Sequence, residues 1–118
     1  MKPRDRNRLL DIVRAADFVA SFIEGFTLDK FLADALVQSA VIRQLQIAGE
    51  ASRQISPEFK SGNPHIPWAK IIGMRNVIVH DYNMVDLEIV WSAATKFLPQ
   101  VRDAAVKSLR AGGIFPDR

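Results

Sequence analysis

The chain contains no cysteine, two histidines and a single tyrosine. The missing thiols exclude disulfide frameworks, thiolate nucleophiles and sulfur-ligated zinc clusters, and they fit a reducing, cytoplasmic setting. No apolar run approaches the ~20 residues that a membrane-spanning helix needs, so no membrane association is expected. The opening Met1-Lys2-Pro3-Arg4-Asp5-Arg6 is charged and leads into an amphipathic segment, unlike a secretory signal. Internal repeats and low-complexity tracts are also missing. What is present is the balance of an ordinary globular domain: 48% apolar and 25% charged residues over 118 positions, enough for one hydrophobic core and too few for two. The net charge of +3 leans weakly toward an anionic partner.

Hydrophobic periodicity predicts four helices and no strand, an all-α up-and-down bundle spanning residues 1–118 as a single domain. The first helix runs from about Arg6 to Glu24, with Leu9, Ile12, Val13, Ala16, Val19 and Ile23 on one face, and Gly25 ends it. Thr27 or Asp29 caps a second helix read as continuous from Leu28 to Ile55. Its buried stripe includes Phe31, Leu32, Leu36, Ser39, Ile42 and Ser52, and its later positions are small enough for another helix to approach closely. Ser56 to Pro67 is the one long connection, with a short helical turn at Ser56–Lys60. A third helix starts near Trp68 and ends near Tyr82-Asn83; a fourth starts at the N-cap Asp86, is kinked by Pro99 and stops at Gly112-Gly113, leaving residues 113–118 as a loose tail.

The one compact set of reactive side chains lies on the third helix, at Arg75, His80 and Tyr82. Histidine exchanges protons near neutral pH, and arginine offers a permanent charge and a planar fork of donors that fits phosphate oxygens. Together they suit acid–base chemistry at a bound phosphate without a metal or other cofactor. His80 is assigned to proton transfer and Arg75 to phosphate binding, with Asn76, one turn from His80 on the same face, in support. A five-residue step turns an ideal helix roughly 140° beyond a full circle, so convergence of Arg75 and His80 requires the helix to end or loosen between them. One histidine cannot be base and acid in the same turnover, whereas two facing subunits supply two; a C2 homodimer with the site across its interface is expected.

The spacing Arg75, four residues, His80, one residue, Tyr82 resembles the R-x4-H-x-Y motif of the HepT-like HEPN proteins. Ile47-Ala48-Gly49-Glu50-Ala51 is similar to that family's Gly-Glu-Ala segment on the second helix. Ile66-Pro67-Trp68 through Met74 is similar to its entry into the motif helix, and Asp86–Trp91 to the start of its fourth helix. The resemblance covers about Arg4 to Leu109. It implies a toxin with endoribonuclease activity on RNA, homodimeric, and paired with a minimal nucleotidyltransferase antitoxin of the MntA type. In such pairs the antitoxin transfers AMP to the motif tyrosine, here Tyr82, and silences the enzyme.

Other residues carry plainer readings beside functional ones. Glu50 is either an exposed partner of Arg53 or a carboxylate that orients Arg75. Trp68 and Trp91 lie in apolar helical patterns and are expected as packing anchors, His65 as a loop residue, and Arg4, Arg6, Arg8 and Arg14 as a solvated face with some reach toward an RNA backbone. A rival to the enzyme is a non-catalytic helical subunit that docks a nucleotidyltransferase and presents substrate to it; the intact Arg75 and His80 favour the enzyme, since docking has no need of them.

Overall fold

A computed structural model describes residues 1–80 and 85–116, with the helical backbone alone for 75–80. Its elements are α1 (Pro3–Phe22), α2 (Leu28–Leu32), α3 (Ala35–Gln54), α4 (Pro57–Gly62), α5 (Trp68–His80), α6 (Leu87–Ser92), a π-helical turn (Ala93–Phe97) and α7 (Leu98–Ala111). No strand occurs among the described residues, and none of the helices there is long and apolar enough to cross a membrane.

Local chemistry sets most boundaries. Pro3 opens α1 at a position whose N–H would have no helical acceptor, and Gly25 turns the chain after it with φ +77. The Thr27 hydroxyl accepts the Lys30 N–H at 3.2 Å to cap α2. The helix expected to run unbroken from Leu28 to Ile55 is interrupted at Ala33-Asp34. There the Asp34 carboxylate accepts the Val37 N–H at 3.0 Å and starts α3 afresh. A capping carboxylate at that point satisfies a backbone donor that continuous helix would have used otherwise.

The break also re-aims the face. Leu32, Leu36 and Ser39, expected inside, are exposed, Leu36 at 81%. Phe31, Ile42 and Ser52 are buried as expected, and Val41, Leu45 and Ala48 are buried with them. The kink expected from Pro99 takes the form of the π turn, in which the Leu98 N–H donates to the Ala93 carbonyl five residues back. Proline two residues into α7 has no N–H to extend the preceding helix, and the wider turn carries the chain past it.

The long elements alternate in direction. The Asp5 carboxylate on the first turn of α1 accepts the Ser56 N–H (2.9 Å) and hydroxyl (2.6 Å) just beyond the end of α3, so α1 and α3 are antiparallel. The Arg102 guanidinium near the start of α7 donates to Asp17 late in α1 at 3.0 Å, so these two are antiparallel as well. Met74 shares a core cluster with Val41, Leu45 and Ala48, whereas Ile71 shares the next one with Ala51 and Ile55. Moving forward along α5 is therefore moving back along α3. α3 packs on both α1 and α5, and α1 also packs on α7, giving the expected helical bundle.

The expected anchors are seated in it. Trp91 tilts against the fully buried Phe31 with ring centroids 5.2 Å apart. Trp68 presents its edge to Phe59 and donates its indole N–H to the Asn63 carbonyl at 3.1 Å, tying the proline-rich connection to the head of α5. The end of the chain is less loose than expected: Ile114 is half-buried against the core and its N–H donates to the Leu109 carbonyl.

Candidate active site

α5 carries the candidate residues and is placed by its first half. Pro67 precedes it, its carbonyl accepting the N–H groups of Lys70 and Ile71, and Ile71 and Met74 are buried against α3. The helix then continues without interruption through Arg75 and Asn76 to His80. The loosening expected between Arg75 and His80 is absent, because the i→i−4 ladder has no proline or competing cap in that stretch to break it. On one continuous helix the backbone positions of Arg75 and His80 stay roughly 140° apart around the axis. The side chains of Arg75, Asn76 and His80, and Tyr82 with the expected helix end beside it, lie outside the described residues.

The antiparallel register brings α3 alongside this segment. Met74 lies level with Leu45–Ala48, so residues 75–80 run along the earlier part of α3. The outer ridge of α3 is polar: Arg43, Gln46, Glu50 and Arg53, at helical spacing. Glu50 makes the first of the two contacts considered for it, the pair with Arg53. Its carboxylate accepts from Arg53 Nη2 at 2.6 Å and from Gln54 Nε2 at 2.7 Å. The hydrogen bond and charge of Glu50 raise the Arg53 guanidinium above its ordinary pKa. Glu50 is thus held in place on this ridge by its two neighbours. An orienting contact to Arg75 falls on a side chain outside those described.

Between α1 and the α3 ridge lies an open groove of about 370 Å³. Its polar lining is Arg8, Asp11, Arg43, Gln46, Glu50 and Gln54, and Ile47 and Ala51 form its apolar part. Asp11 accepts from Arg8 at 3.0 Å and lies 3.9 Å from Arg14, so part of the basic face of α1 is internally neutralised. Sequence reading singled out neither Arg43 nor Gln46. Their spacing from Glu50 marks them as one helix face, but only the packing of α1 turns that face into a groove. His65 is exposed, as a loop residue should be, beside a shallow depression lined by Gln100, Asp103 and Lys107. No group of three or more carboxylate or imidazole side chains with metal-binding geometry occurs among the described residues.

Comparison with known proteins gives the family. Residues 12–108 match the family described as "Ribonuclease HepT-like". A Methanocaldococcus jannaschii protein provisionally named an RNase is 33% identical over 103 residues, covering 86% of this chain and 94% of its own. A Thermococcus cleftensis protein provisionally named ribonuclease HepT is 35% identical over 102 residues, covering 86% and 93%. A third, from Caldanaerobacter subterraneus and also provisionally named an RNase, is 30% identical over 96 residues, covering 81% and 86%. No solved structure matches. With the match running from α1 into α7 and the relatives spanned almost end to end, the chain belongs to the HepT-like HEPN ribonuclease family.

Proposed function

We propose that this protein is a metal-independent endoribonuclease, the toxin of a toxin–antitoxin pair, acting as a homodimer. The observation that carries the reading is the R-x4-H-x-Y set, Arg75, His80 and Tyr82, inside a family match that covers residues 12–108. In the proposed reaction a histidine imidazole removes the proton of the RNA 2′-hydroxyl. The oxygen attacks the adjacent phosphorus, the bond to the 5′-oxygen breaks, and a second, protonated imidazole donates to that oxygen. The products are a 2′,3′-cyclic phosphate and a 5′-hydroxyl, with no net proton change. Arg75 stabilises the charge on the phosphate as it becomes pentacoordinate, and Asn76 supports His80 or the phosphate.

Continuous helix from Arg75 to His80 supports the dimer reading. Backbone positions so far apart around one axis are better joined across two facing copies of α5, where the Arg75 of one copy meets the His80 of the other and the shared cleft receives two imidazoles. In the proposed regulation, a partner nucleotidyltransferase transfers AMP from ATP to the Tyr82 hydroxyl. A phosphodiester forms on the phenolic oxygen, pyrophosphate leaves, and the added bulk and negative charge repel the substrate phosphates.

The test is expression of wild type, Arg75→Ala and His80→Ala in a bacterial host, followed by growth curves and RNA integrity. Wild type should arrest growth and fragment RNA, while each variant loses about 10²-fold or more of the cleavage rate. Equal growth with intact RNA in all three would refute the toxin and promote the docking subunit in its place.

A further inference from the structure

We propose that the groove between α1 and α3 is a substrate subsite that holds the RNA strand on one side of the scissile phosphate, with Arg43 as its first phosphate-binding residue. This rests on the ribonuclease reading above and extends it to residues outside the motif.

Position comes first. The register that sets Met74 level with Leu45–Ala48 sets the end of α5, at His80, level with about Ser39–Ile42, next to Arg43. Arg43 therefore stands where a strand leaving the motif helix crosses the α3 ridge into the groove. From Arg43 to Gln54 the groove follows eleven residues of helix, roughly 16 Å at 1.5 Å per residue, room for two or three nucleotides.

The lining fits that cargo. Arg43 is exposed and has no ion pair among the described residues, so its guanidinium charge is available to a phosphate. At the far end Arg8 spends one nitrogen on Asp11, while its Nε is buried without a protein acceptor. Both carboxylates of the groove are already matched: Asp11 by Arg8 and Arg14, Glu50 by Arg53. The lining holds two guanidinium groups, Arg8 and Arg43, against these two carboxylates, and with both carboxylates paired the uncompensated charge is that of Arg43. Between its ends the Gln46 amide offers a donor and an acceptor to base edges, and Ile47 and Ala51 offer an apolar floor to a base face.

The experiment compares cleavage of a single-stranded RNA decamer with cleavage of a dinucleoside monophosphate, which has the scissile phosphate alone. For Arg43→Glu the ratio of the two kcat/KM values should fall about tenfold, mostly through the decamer's KM. The salt dependence of decamer binding should lose about 0.7 from its log–log slope, as expected for one single-strand phosphate contact. Lys107→Glu, the same charge change on α7 away from the groove, should leave the ratio where it was. An unchanged ratio and slope in Arg43→Glu would overturn the subsite and leave the ribonuclease standing. An equal loss on both substrates would also overturn it, by moving Arg43 to the scissile phosphate. If wild type cleaves neither RNA, the ribonuclease reading fails. The subsite is then judged by decamer binding alone, where equal affinity of wild type and Arg43→Glu overturns it.

Discussion

Replacing Asp5 by alanine removes the contact that holds the corner through which the chain reaches the motif helix. Asp5 is 3% exposed and its carboxylate accepts two hydrogen bonds from Ser56, 51 residues away, at 2.9 and 2.6 Å. Hydrogen bonds to a charged partner contribute about 1.5–3 kcal/mol each, and exposure of the freed Ser56 groups to water recovers part of that. A loss of about 3 kcal/mol is expected for Asp5→Ala, and about 1 kcal/mol for Asp5→Asn, which keeps both contacts without the charge. At about 2.1 cal/mol/K of unfolding entropy per residue over 118 residues, 3 kcal/mol lowers Tm by about 12 °C. Ser56 is also the N-cap of α4, its hydroxyl accepting the Phe59 N–H at 3.2 Å, so Ser56→Ala should cost about 1–2 kcal/mol by itself. The assay is urea unfolding at fixed protein concentration for wild type, both single variants and the double variant. A coupling energy of about 1–2 kcal/mol is expected for the pair. Strictly additive single effects, or a loss below about 1 kcal/mol for Asp5→Ala, would refute the account of this corner.

Other consequences are as direct. Tyr82→Phe should keep RNA cleavage yet stay active when the nucleotidyltransferase and ATP are added, and mass spectrometry should find no added AMP; loss of cleavage in a folded variant would place the tyrosine in the chemistry instead. Cleavage by wild type should persist in excess EDTA, and a rate restored only by added divalent ion would contradict the proposed mechanism. Asp34→Ala should cost about 1 kcal/mol and lower the helicity at the head of α3, read by circular dichroism, because it removes the cap on the Val37 N–H. Leu45→Ala, at a side chain 1% exposed between α1 and α5, should cost about 3 kcal/mol in urea unfolding.

The candidate site was legible along the chain only as far as its chemistry. Arg75, His80 and Tyr82 are recognisable by residue type and spacing, and so are the helix that bears the first two and the proline-rich connection before it. The caps at Thr27 and Asp86, the turn at Gly25 and the anchoring roles of Trp68 and Trp91 also follow from local propensity, since each depends on neighbours within a few residues. Periodicity reports which face of a helix is apolar but says nothing of what that face meets. Hence the exposure of Leu36 after the locally capped restart of α3 at Asp34 was not anticipated by a continuous apolar stripe. The same holds for the π turn before Pro99, where two core clusters must both be filled by one bent element. Contacts between distant positions are wholly tertiary: Asp5 with Ser56, Arg102 with Asp17, and the groove that joins Arg8 of α1 to Arg43 of α3. No local signal relates such residues, because their meeting depends on helix direction and register, which the bundle as a whole sets.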